Sequence, residues 1–239
     1  MIDFYRSEKS RAFTYTRIGE NHILSGQDNQ DNVVFERMQN AWYMVIADGV
    51  SSADCAQEGS KAAVQVIRDL CDKLSSDILL IHSFDDIKVD LVRRWKNKIE
   101  SNWDDYATTL NFAIYVKDSL LLGQIGDGLI VADVTEEPVI MSEQEEFYTT
   151  ETEALATKVR KSSILLKVID NISKGRLYMT SDGIGKEISE DSRTGLLEYL
   201  DKMIANDDAT IEEELDSWVC GLGRKNGDDK SIGFISWEG

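Results

Sequence analysis

Apolar residues along this 239-residue chain recur at two different periods, and the two alternate in blocks. Residues 11–18 (RAFTYTRI) alternate roughly between apolar and polar, the signature of a strand. Residues 32–37 and 41–47 read as two more strands, joined at Gln39-Asn40 into a hairpin. The period then lengthens. Ala56, Ala63, Ile67, Leu70 and Leu74 fall on one helical face with Ser60 on the same stripe, and Ser51 or Ser52 stands where a hydroxyl can cap the helix start. A second helix is predicted over 84–101, with Ile87, Leu91, Trp95 and Ile99 four apart. Strands return at 107–116, 119–125 and 128–134, with turns at Lys117-Asp118 and Gly126-Asp127-Gly128. Residues 163–169 and 175–181 predict a further hairpin across Asn171 to Lys174. Helices follow over 191–204 and 210–222, the latter opened by a Thr210…Glu213 capping box, and 231–237 (SIGFISW) closes as a strand.

This order lacks the regular strand–helix alternation of a parallel sheet. Its helices come in pairs, as they would if each pair covered one outer face of a β-sandwich. The expected class is therefore α+β, a four-layer α-β-β-α arrangement in which helix pairs flank an antiparallel sandwich. With one proline, no repeat and no low-complexity linker, residues 1–239 read as a single domain, long enough to bury a core.

Composition narrows the partners. Hydrophobic content of 42% and charged content of 29% are ordinary for a globular protein. Lys plus Arg number 26 against 44 Asp plus Glu, a net charge of −18, which repels nucleic acid and anionic membranes and discounts both as partners. Such a field repels phosphate too, unless cations sit in the site. No 18-residue apolar run spans a membrane, and MIDFYRSEKSRAF lacks the apolar core of a signal peptide. Cys55, Cys71 and Cys220 form no CxxC pair, so neither a zinc site nor a disulfide framework is expected, and the cytoplasm is the simplest compartment.

The candidate chemistry lies where apolar strands meet acids. Asp31 precedes VVF, Asp48 follows YMVIA, Asp127 follows LLLGQI, Asp182 follows RLYMTS, and Asp228 and Asp229 precede the last strand. Glycine flanks four of these positions: Gly49, Gly126 with Gly128, Gly183 and Gly227. Each Asp-Gly alone is turn chemistry. Together they offer the carboxylates and closely approachable carbonyls that a hard divalent cation takes. Competing motifs fail. An EF-hand loop from Asp28 would need glycine where Val33 stands, and a phosphate loop ending at Gly185-Lys186 lacks its first glycine and its final Ser or Thr. No GxSxG elbow is present, and His22 and His82 are the only histidines, read as surface or hydrogen-bonded polar residues.

The ordered motifs resemble the metal-dependent protein phosphatases of the type 2C family. Asn29-Gln30-Asp31 resembles its first acidic motif, Val45-Ile46-Ala47-Asp48-Gly49 its VxDG, and Ala107-Thr108-Thr109-Leu110 its GTTL strand. Ile125-Gly126-Asp127-Gly128 is similar to its xGDS hairpin, Met179-Thr180-Ser181-Asp182-Gly183 to its LxSDG, and Asp228-Asp229-Lys230-Ser231 to its closing DNxT. The matches run in family order from about residue 11 to 237. The resemblance implies a centre of two Mn2+ or Mg2+ ions. Asp48 would bridge both and the Gly49 carbonyl would bind one. Asp182 and Asp228 would hold the other, and Asp31 would bind directly or through water. A hydroxide bridging the ions would attack phosphorus in phosphoserine or phosphothreonine on a protein. A phosphorylated protein substrate and an opposing Ser/Thr kinase are the implied partners. Asp127, Gln30 and Asp229 are candidates for a third ion or for supporting contacts.

Four positions depart from the pattern. Gly26 stands where the family often has a phosphate-gripping arginine, which leaves Arg17 or another cation as a substitute. Gln30 replaces a common glutamate. Val50 replaces a histidine that donates a proton in some members. Lys186 replaces an acid four residues after Asp182, and its ammonium can occupy the region of a third ion, pairing with Asp127 or with substrate phosphate. Gly26 and Gln30 support a second expectation, a phosphatase-like binding or regulatory module with little turnover. A third is hydrolysis of a small phosphoester.

Overall fold

Among the residues that the computed structural model describes, 1–99, 102–142, 153–223 and 226–238, the apolar runs settle into two antiparallel sheets. In chain order the elements are β1 (Ile2–Arg6), β2 (Ser10–Arg17), α1 (Glu20–Ser25), β3 (Asp31–Arg37), β4 (Ala41–Asp48), α2 (Ala56–Ser76), α3 (Phe84–Lys98), β5 (Leu110–Val116), β6 (Ser119–Ile125), β7 (Leu129–Asp133), β8 (Val139–Ser142), β9 (Leu165–Ile169), β10 (Lys174–Thr180), α4 (Asp182–Gly185), α5 (Arg193–Met203), α6 (Asp208–Gly223) and β11 (Lys230–Glu238). One sheet has the order β1-β2-β11-β10-β7-β8 and the other β3-β4-β5-β6-β9.

Strand β4 shows why the layers stack as they do. Trp42, Met44 and Ile46 face the other sheet, where they meet Ile130, Met179 and Ile235. Tyr43, Val45 and Ala47 face outward and meet Ile67 and Leu70 of α2 and Leu91 and Trp95 of α3. A strand covered on both sides has no polar face to alternate with, so its sequence is a continuous apolar run. On the other sheet, Phe13, Tyr178 and Phe234 point outward beneath Leu197 and Leu200 of α5 and Ile211 and Leu215 of α6. Helix pair, sheet, sheet and helix pair are the four expected layers.

The structure corrects several local expectations. Residues 163–169 and 175–181 do not form a hairpin: β9 pairs with β6, whereas β10 lies between β11 and β7 in the other sheet. The chain likewise changes sheet between β6 and β7 at Gly126-Asp127-Gly128. A turn signal between two apolar runs is the same whether the runs pair or part. Residues 107–109 precede β5 rather than belonging to it, and Thr108 makes isolated bridges to Gly49 and Leu155. Helix α2 starts after Cys55 without a side-chain cap, so neither Ser51 nor Ser52 serves it. Helix α6 starts two residues before Thr210, because Asp207 accepts from the Thr210 N–H (3.0 Å) and hydroxyl (2.8 Å). Helix α3 ends at Lys98, and residues 100 and 101 of its expected span lie outside the described residues. Strands β1 and β8 and helix α1 are additional, each six residues or fewer and too short to show a period.

The helix pair α2–α3 is tied by one buried acid. Asp90 is 6% exposed and accepts from Lys73 (3.0 Å), Arg93 (2.5 Å) and Arg94 (2.9 Å). Burial pushes its carboxyl up, but the hydrogen bonds from Arg94, Arg93 and Lys73 together outweigh burial and hold it down at about 2. A carboxyl lowered in the fold stabilises above its unfolded value and loses that contribution as pH falls from about 4 to about 2. Asp90→Asn is therefore expected to flatten this acid limb and to destabilise the neutral protein by about 1–2 kcal/mol, since the cationic partners are partly solvated. Urea denaturation across pH 2.5–7 reads both; a variant with the parent's acid limb would contradict it.

Candidate metal and active site

Strand register brings the first two acids together. In the β3–β4 hairpin Asp31 is paired with Asp48, and both share the parity of the residues that face the opposite sheet. They therefore stand at one open end of the inter-sheet space. Asp182 follows β10 and Asp228 and Asp229 precede β11, which are neighbouring strands of the other sheet, so their ends reach the same rim. Glycine permits the close fit there. A Cβ on Gly183 would come 2.0 Å from the Asp229 carbonyl oxygen, and one on Gly19 would come 2.4 Å from that of Gly227.

Hydrogen bonds then hold each acid in place. The Asp48 carbonyl accepts from the Thr109 N–H (2.7 Å) and the Thr108 hydroxyl (2.9 Å), and the Asp48 N–H donates to Thr109 Oγ1 (3.2 Å). The two threonines thus clamp the backbone of Asp48. The Gly49 N–H donates to the Gln30 carbonyl (3.3 Å), and Ser60 of α2 donates to the same oxygen (2.7 Å). Between the sheets, Ser181 donates to Asp31 Oδ2 (2.8 Å) while accepting from the Ser231 N–H (3.0 Å). Asp229, 1% exposed, accepts from the N–H groups of Gly19 (2.7 Å) and Gln30 (2.6 Å), with His22 Nδ1 2.9 Å away. Its oxygens are spent on binding the 19–30 segment, so Asp229 supports the site rather than lining it. Lys230, 3% exposed, donates to the carbonyls of Asn226 and Asp228, both at 2.7 Å.

The clustered carboxylates press on one another. Burial and then the charges of Asp31 and Asp182 hold the Asp48 carboxyl well above the usual carboxylate range. Burial and the charge of Asp229 push Asp31 up to about 7. Burial and the charge of Asp182 raise Asp228. Asp31 Oδ1, Asp182 Oδ1 and Gln30 Oε1 are buried with no hydrogen-bond partner in the protein. Buried anionic oxygens that repel one another and lack donors are the donor chemistry of a hard divalent cation. In that respect the residues fit one. Among the described residues no three His, Cys, Asp or Glu side chains are gathered closely enough to hold a metal ion as they stand.

Two expected phosphate ligands are placed differently. Arg17 shares the outward face of β2 with Phe13 and Tyr15, and its guanidinium lies 3.7 Å from Asp216 of α6. Lys186 Nζ donates to Asp127 Oδ2 (2.7 Å) and Asp182 Oδ2 (2.6 Å). His22 is the hydrogen-bonded polar residue expected, though its partner was not foreseen, and the contacts of Ser181 and Lys230 were not foreseen either. Ser181 lies inside a quoted motif and could have been singled out; nothing local marks His22 as the partner of an acid 207 positions later.

A family model described as protein phosphatase 2C matches residues 18–220. Among solved structures, RsbX in complex with magnesium superposes with a TM-score of 0.65 at 12% identity, covering 100% of both chains. The serine/threonine phosphatase Stp1 from Staphylococcus aureus gives 0.60 at 14% identity over 95% of each chain. The Mycobacterium tuberculosis serine/threonine phosphatase PstP/Ppp gives 0.62 at 15% identity, covering 97% of this chain and 100% of that one. At these identities the superpositions establish a shared fold. No curated protein sequence matches the chain.

Proposed function

This chain belongs to the protein phosphatase 2C family, and from that premise we propose that it hydrolyses phosphoserine and phosphothreonine on proteins at the carboxylate end of the sandwich. The observation that carries the reading is the mutual repulsion of Asp31, Asp48, Asp182 and Asp228 around buried, unpartnered oxygens. Asp48, Asp182, Asp228 and Asp31 are the side chains that would hold two Mn2+ or Mg2+ ions, with the Gly49 carbonyl as a further oxygen. When bound, such a pair supplies Lewis acidity, lowering the pKa of water and offsetting charge on the phosphoryl oxygens.

The remaining tasks fall to the chain's own residues. Thr108 and Thr109 fix the backbone that carries Asp48, and Ser181 orients Asp31 across the two sheets. Preorganisation of this kind keeps the acids from collapsing onto other donors as charge develops. Val50 has no proton to give, and His22 is buried against Asp229, so solvent protonates the leaving alkoxide. A Ser/Thr kinase would supply the substrate.

A second reading, a phosphatase-like binding module with little turnover, is favoured by one observation: the Lys186 ammonium already occupies Asp182. Hydrolysis of a phosphothreonine peptide and of an aryl phosphate, each with millimolar Mn2+ and with chelator, separates the two. Metal-dependent turnover of the peptide is expected. Turnover of neither substrate at saturating Mn2+ would hand the protein to the second reading, and turnover of the aryl ester alone would point to a small phosphoester.

A further inference from the structure

Two lysines approach the carboxylate rim, and they differ in what they can do. Lys230 is buried and bonded to two backbone carbonyls, so it is part of the framework. Lys186 has a side chain 55% exposed, and its Nζ touches two side-chain oxygens, Asp127 Oδ2 and Asp182 Oδ2. Leaving them opens no core. Lys186 is also tethered closely: it follows the single turn of α4, and its N–H donates to the Asp182 carbonyl (3.1 Å). A ligand four residues from its site is present at high effective concentration.

We propose that Lys186 is a built-in counter-ion that competes with a divalent cation for Asp182. While the ammonium bridges Asp127 and Asp182, one oxygen of Asp182 is taken, and a divalent ion must displace it to use the full carboxylate. A divalent ion carries twice the charge and approaches oxygen more closely, at ~2.0–2.6 Å, so it can win at sufficient concentration. The chain therefore binds its weakest ion less tightly than its carboxylates alone would allow, and the metal-free rim is less repulsive than it would otherwise be. The proposal rests on the divalent-cation reading of the rim, and it needs no turnover to be tested.

The test is Mn2+ titration by calorimetry and by electron paramagnetic resonance, on the full chain, for the parent, Lys186→Met and Lys186→Arg. Met keeps the length and apolar stem and removes the charge; Arg keeps the charge. Lys186→Met is expected to bind its weakest Mn2+ about ten-fold more tightly, or to take up one ion more, and to melt at lower temperature than the parent without metal. Lys186→Arg is expected to follow the parent. A Met variant with the parent's isotherm would overturn the counter-ion role while leaving the phosphatase reading standing. Absence of Mn2+ binding by both parent and Met variant would overturn this proposal and the divalent-cation reading together.

Discussion

Asp48→Asn is expected to lower phosphopeptide turnover about a thousand-fold or more, equivalent to about 4 kcal/mol of barrier, and at the same time to raise the melting temperature of the metal-free protein. The first effect follows from the position of Asp48. It stands beside Asp31 in the hairpin register, its backbone is clamped by Thr108 and Thr109, and it is the acid most pressed upon by the others. An amide keeps the shape and gives up the charge that would hold an ion. The second effect has the opposite sign for a physical reason. A carboxyl raised in the fold binds its proton more tightly folded than unfolded, so it lowers stability as pH climbs above the ordinary carboxylate range. Asn carries no charge to be repelled and removes that slope. Millimolar Mn2+ should reverse the ranking, because the parent, with Asp48 to hold both ions, gains the more stability by binding it. Thermal melts at pH 5 and pH 8, with and without Mn2+, read the crossing. Equal melting temperatures in chelator at pH 8, or turnover within ten-fold of the parent, would refute the assignment.

Asp229→Ala is expected to be the most destabilising change at the site, losing about 3–5 kcal/mol, because it leaves three buried groups without their acceptor. For a chain of this size that corresponds to a fall in melting temperature of roughly 10 °C. Asp229 joins Gly19, His22 and Gln30 to the start of β11, so its loss also frees the Asn29-Gln30-Asp31 segment, and turnover should fall with stability. His22→Asn keeps a donor in the pocket and should be milder, at about 1–2 kcal/mol. Denaturant midpoints for the two variants measure both. A loss below about 1 kcal/mol for Asp229→Ala would show that the segment is held by other contacts.

Much of this site is legible in the order of residues alone. Asp31, Asp48, Asp182 and Asp228 are marked by apolar runs that end in an acid, because a strand covered on both faces has to be apolar throughout and stops where the core stops. The paired helices, and with them the four layers, are legible for the same reason: a face that must be covered shows its apolar stripe. Arg17 shows what such a reading leaves open. In RAFTYTRI it shares parity with Phe13 and Tyr15, which sets it against whatever covers that face, and that cover is α6. Parity says which residues face the same way, and leaves open which way that is.

The periods, the strand-end carboxylates and the family motifs are all local, and so are written in the order of residues, since side-chain direction repeats every two or 3.6 residues whatever the partners. The long-range packing set the rest. It sent β9 and β10 to different sheets, turned Arg17 toward Asp216, placed the Lys186 ammonium on Asp127 and Asp182, and buried His22 against Asp229. Each of these depends on which strand lies beside which, across up to 207 positions of chain, and local spacing holds no information about pairing at that distance.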